Sequence, residues 1–189
     1  MSFKNIKTID LFIAFCFVII AVALRLLPHP PNFAPIAALA LFAGVYLSRK
    51  TALVIPLAAM LISDLFLGFY EPMVGLAVYG SFLLTVVLGF CVKKQKKWFT
   101  ILGGSLAGSL VFFLTTNFAV WAFTPWYAKT MNGLSLCFTM ALPFFKNTLL
   151  GDLFYVGLFF GIYELAVIGV KGLLNSRYAV ELKSKAILK

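Results

Sequence analysis

Met73–Val92 reads MVGLAVYGSFLLTVVLGFCV, twenty residues without a charge. At about 1.5 Å per helical residue that is roughly 30 Å, the thickness of a bilayer's hydrocarbon core. The rest of the chain has the same character. Of its 189 residues, 62% are hydrophobic and 12% charged, where a soluble domain has about 25%. The apolar runs are long and unbroken, which excludes the short alternating strands of a β-barrel. Backbone groups in lipid must be satisfied within the segment, so the reading is an all-α integral membrane protein.

Outward from 73–92, the hydropathy pattern predicts a single transmembrane domain over 1–170 with about six spans, at 10–27, 35–48, 52–70, 73–92, 99–123 and 148–170. The second is short: fourteen residues reach only about 21 Å, and without it five spans remain. The segment 136–145, LCFTMALPFF, is apolar but interrupted by Pro143; it reads as interfacial, re-entrant or a tilted lead into the last span. Residues 171–189 form a basic tail, solvated or lying on the membrane surface.

The net charge of +10 follows the loops, which favours membrane orientation over nucleic-acid binding. With six spans, thirteen Lys and Arg residues fall on the side of both termini, against Arg25, Lys129 and Lys146 on the other. The positive-inside rule then makes both termini cytoplasmic, in a bacterial inner membrane. Lys4, Lys7 and the Ala21-Val22-Ala23 stretch could instead mark a cleaved signal peptide.

On this topology the unusual chemistry collects on the outer side. LRLLPHPPNFAP (24–35) holds the only histidine, His29, between two prolines. Asp64 and Asp152 both fall in the outer halves of spans, where a charged carboxylate costs about 2.5–3.5 kcal/mol near mid-helix and needs a cavity or a partner. Each therefore contacts a ligand, or makes an interhelical hydrogen bond or an ion pair with a cation such as Arg25 or Lys146. Glu164 is deeper. Asn32 and Asn117 can donate and accept at once; Asn32 could alternatively cap the second span, and Asn117 could only join helices. Phe33, Phe69, Tyr70, Trp121, Trp126 and Tyr127 form either an aromatic belt at headgroup level or walls for a flat ligand.

NFA recurs at 32–34 and 117–119 and DLF at 64–66 and 152–154, a hint of internal duplication. Gly104-xxx-Gly108 and Gly157-xxx-Gly161 allow close helix contact. Cys16, Cys91 and Cys137 fit neither a metal site nor a disulfide framework. No serine-protease, rhomboid or Walker pattern is present, so neither an enzyme nor a resident cofactor is expected.

With six short spans and a polar outer mouth, the chain resembles the substrate-binding S components of energy-coupling-factor vitamin transporters. More closely, it is similar to an uncharacterised bacterial family of small transport-type proteins. The matching segments are RLLPHPPNFAPIAALALFAG (25–44), PLAAMLISDLFLGF (56–69), TTNFAVWA (115–122) and LPFFKNTLLGDLFYVGLFFG (142–161). The resemblance implies a substrate enclosed by outer loops and helix ends, and a partner in the form of an energy-coupling membrane subunit with ATPases. Many S components dock through an Ala-x-x-x-Ala surface on the first span; here Val18 stands four residues after Ala14. Solitary cobalamin transporters of this class use a site cysteine, and none of the three cysteines falls at such a place.

The expected function is uptake of a small water-soluble nutrient, vitamin-like or a metal complex. Its binding residues would be His29, Asn32, Asp64, Tyr70, Asn117, Trp121, Lys146, Asn147 and Asp152, covered by the 124–147 segment and the PHPP turn. The alternative is a non-transporting subunit that scaffolds a larger complex through its glycine faces.

Overall fold

The computed structural model describes residues 3–187, with side chains over 11–170. Among the described residues there are six helices and no strand: α1 (Phe3–Leu26), α2 (Ile36–Tyr46), α3 (Arg49–Leu67), α4 (Pro72–Lys94), α5 (Trp98–Phe123) and α6 (Met131–Ile187). Four are long and apolar enough to cross a membrane: α3, α4, α5 and α6 over Met131–Val170. The protein is a multi-pass helical membrane bundle.

α2 is the centre of it. Every residue from Ile36 to Val45 is buried. A helix apolar on all faces must be enclosed, and at eleven residues, about 16 Å, α2 is too short to span alone. A half-length helix is tolerated at membrane depth because protein surrounds it. Its last carbonyls are served locally: the Leu47 amide donates to the Ala43 carbonyl and Lys93 Nζ donates to the Leu47 carbonyl at 3.3 Å. Phe42 packs against Phe17 of α1 and Phe160 and Tyr163 of α6, with ring centroids 5.0, 5.6 and 5.4 Å apart. Gly44 meets Gly89 of α4 backbone to backbone: a Cβ on Gly44 would lie 2.8 Å from the Gly89 Cα, and closer still to the Val86 carbonyl oxygen.

These contacts fix the helix senses. Ile36 shares a chamber with Asp152, whereas Tyr46 at the other end of α2 donates to Glu164 Oε1 at 2.7 Å. α2 thus runs parallel to α6, and antiparallel to α3, to which a two-residue link joins it; successive helices alternate. The 47–48 and 95–97 links, with Arg49, Lys93, Lys94, Lys96 and Lys97 in or beside them, share one end; Arg25, Tyr70 and Asp152 gather toward the other.

Short caps start the helices. Ser48 accepts the Thr51 amide to begin α3, and Glu71 accepts the Met73 and Val74 amides at 3.0 and 3.1 Å ahead of Pro72. Gly68, at φ +94°, ends α3 in a conformation that disfavours side chains.

Several local expectations are revised. The long connection expected over 124–147 is non-helical only over 124–130; α6 then runs unbroken through Pro143, so of the three readings of 136–145 it is the lead into the last span that agrees, and not a re-entrant or separate interfacial piece. A proline inside a helix frees one carbonyl and crowds the preceding turn, yet bundle helices accept it. Over Met131–Val170, α6 is about 60 Å long, twice the hydrocarbon thickness. Asn32 does not cap α2, where Pro35 stands; it turns the chain at φ +63°, a region asparagine tolerates. Asn117 lies within α5, so the two NFA copies do not share a local structure.

Candidate functional site

At the end opposite the lysine-rich links, α1–α6 enclose two adjoining chambers that share Asn32, Tyr70, Val78, Phe112 and Thr148. The inner one has a volume of about 210 Å³ and the outer one about 470 Å³.

The inner chamber is organised by a buried cation. Arg25, near the C-terminal end of α1, is 8% exposed and lines the chamber. Its Nη1 stands 2.7 Å from Asp64 Oδ1 on α3 and donates to Ser63 Oγ and the Met60 carbonyl; its Nη2 donates to Tyr70 Oη at 2.8 Å. Asp64, fully buried, also accepts Tyr79 Oη of α4 at 2.6 Å. Three helices are thereby tied through one ion pair, which is how a charged pair survives at this depth.

Across the chamber Asp152 of α6 is 3% exposed. Ser109 Oγ of α5 donates to its Oδ2 at 2.6 Å. The helix brings it there because Gly151 admits the backbone of the 27–35 turn: a Cβ at 151 would stand 3.1 Å from the Phe33 Cα.

Of the residues the sequence points to, His29, Asn32, Tyr70 and Asp152 line the inner chamber, and Asn32, Tyr70 and Asn117 the outer. His29 Nδ1 is 2.7 Å from the Leu27 carbonyl, within its own turn, and Asn117 Nδ2 donates to the Phe113 carbonyl at 2.7 Å. Four others do not line either chamber. Asp64 lies behind Arg25 and holds it. Trp121 Nε1 donates to the Ala128 carbonyl at 3.0 Å, closing the α5–α6 turn, where Lys129 Nζ also caps the Trp121 and Thr124 carbonyls. Asn147 Nδ2 donates to the Pro31 carbonyl at 3.1 Å, clamping the proline turn to α6. Lys146 is exposed.

Sequence reasoning under-used Arg25, which enters there as an outer charge and one of two partners for Asp64. It also passed over Ser109, Thr148 and Phe112. The available signal was charge balance: a lone arginine ending an apolar helix and a lone aspartate in another at similar depth are stable together and costly apart. The outer chamber's cover is helical, formed by Ala141, Phe144 and Phe145 of α6 with Trp126 of the turn. Among the described residues no cluster of His, Cys, Asp and Glu could hold a metal ion.

Of the glycine faces, Gly104 and Gly108 pack inward against Val92 and Thr85, whereas Gly157 and Gly161 have open space beside them.

A family model described as DUF6580, a family of unknown function, matches residues 5–173, and the chain belongs to that family. No curated protein and no solved structure matches it.

Proposed function

We propose that this protein captures a small water-soluble nutrient, vitamin-like or a metal complex, for uptake across a bacterial inner membrane. The lysine-rich links then lie in the cytoplasm and the chambers open outward, as the positive-inside rule requires. The observation that carries the reading is the recess itself: a cavity within an apolar bundle, lined by a buried arginine and a buried aspartate. Charges at such depth mark substrate pathways, and the volume of the two chambers suits a small molecule. A site enclosed by helix ends and a proline turn agrees with the resemblance to S components, and an energy-coupling subunit with ATPases is the partner that resemblance proposes.

The test is purification in mild detergent followed by mass spectrometry for a retained small molecule, with thermal unfolding against vitamins and metal complexes. A retained compound, or a compound that raises Tm, is expected. An empty protein that ignores the panel would favour the scaffold reading, for which the open Gly157–Gly161 face of α6 is the supporting feature. That reading expects a co-purifying membrane protein, lost on Gly157→Leu.

A further inference from the structure

We infer that the recess takes a small organic monocation, with Asp152 facing its protonated nitrogen and Arg25 offering an N–H to an acceptor on the same molecule. This rests on the uptake reading and adds the ligand's charge.

The argument is a charge count over buried groups. Arg25 and Asp64 form a closed pair and contribute no net charge to the inner chamber. Asp152 has no such balance. It is buried to the same degree, lines the same chamber, and among the described residues only the neutral Ser109 hydroxyl bonds to it. Neither ion pair among the described residues includes Asp152. A cation restores neutrality there; an anion would meet Asp152 with no uncompensated positive charge in return, and a zwitterion would leave the imbalance unchanged. Arg25 has five N–H groups in a fixed fork. Asp64, Ser63, the Met60 carbonyl and Tyr70 engage Nη1 and one N–H of Nη2, which leaves the Nε–H and the second Nη2–H of a side chain that lines the chamber. The wall includes the aromatic rings of Phe82, Phe112 and Tyr70, which suit a flat or aliphatic body and can present a ring face to a cation.

Three probes of nearly one shape separate the charges: benzylamine, benzyl alcohol and benzoate, titrated calorimetrically into the detergent-solubilised full chain. Benzylamine should bind about tenfold or more tighter than benzyl alcohol, a difference of about 1.4 kcal/mol, and benzoate should not bind. Asp152→Asn should erase the preference for the amine over the alcohol. Equal binding of amine and alcohol would mean that Asp152 acts as a neutral hydrogen-bonding group, and would overturn the assignment. So would tighter binding of benzoate, no response to benzylamine at millimolar concentration, or an amine preference that survives Asp152→Asn. If that variant does not fold, the comparison on the unaltered protein still decides. A protein that ignores benzylamine yet carries a neutral or anionic compound from the cell refutes the cation and keeps the uptake reading. One that carries nothing and ignores the wider panel loses both.

Discussion

Arg25–Asp64 and Lys96–Glu164 are ion pairs of the same length, 2.7 Å, in different surroundings. The first joins α1 to α3 beside the recess, its side chains 9% and 0% exposed. The second joins the α4–α5 link to α6 at the other end, its side chains 38% and 48% exposed. Lys96 Nζ also stands 4.1 Å from the centroid of the Tyr46 ring. Equal geometry does not mean equal consequence. Water can replace either partner of the exposed pair, whereas nothing replaces a partner of the buried one. One end of the bundle is therefore held by solvated, exchangeable charge, and the other by charge that must stay matched.

The largest break in that contrast should come from Asp64→Ala. It leaves Arg25 buried without a counter-charge, at a cost of about 3–5 kcal/mol, read as a fall in stability by unfolding in detergent. The paired change Arg25→Met with Asp64→Leu should recover most of that loss, because two apolar side chains replace two matched charges. A double variant as unstable as the single one would mean that the pair does more than balance charge.

Gly44→Ala should come next. The new Cβ would press on Gly89 and the Val86 carbonyl, both backbone, forcing α2 and α4 apart for about 1–3 kcal/mol. Gly157→Ala, with open space beside it, should be close to neutral in the same assay. Equal effects at the two glycines would contradict the central position of α2.

Lys96→Ala should be smallest, about 1 kcal/mol or less, since the pair is half in water. Raising ionic strength should shrink even that effect and leave the Asp64→Ala loss nearly unchanged, because salt screens exposed charges far more than buried ones. A salt-sensitive Arg25–Asp64 pair would show that water reaches the inner chamber freely.

The helical membrane class was legible because it depends on a one-dimensional quantity: uninterrupted apolar length against bilayer thickness. The common end of Asp64 and Asp152 was legible for a related reason, since alternating senses carry helix depth across the chain. The status of 35–48 was not. Its length argues against a span and its composition for one; only the ring of α1, α3, α4, α5 and α6 around it explains how a helix of about 16 Å stays at membrane depth. Pro143 misled for a similar reason. Proline's cost is local and visible in sequence, while the packing that tolerates it is not.

The candidate site divides along the same line. Asp152, Asn32, His29, Tyr70 and Asn117 were found as polar groups in oil near one end, and they line the recess. Which way a polar group faces is a matter of helix rotation and partner choice. Asp64 takes the ion-pair role that was one of its expected alternatives: the arginine lines the chamber and the aspartate supports it from behind. Asn147 holds the turn, and Trp121 and Lys129 close the end of α5.

By itself the sequence determined the solvent of this protein, its helical class, the sidedness of its charges and the depth of its buried acids, because each is set by composition and spacing along one chain. Only the tertiary structure decided that α2 is an enclosed core helix, that Arg25 is neutralised by Asp64, and that Asp152 faces the same chamber with no cation paired to it. Those depend on which side chains meet across helices far apart in sequence, and burial energies follow from the meeting.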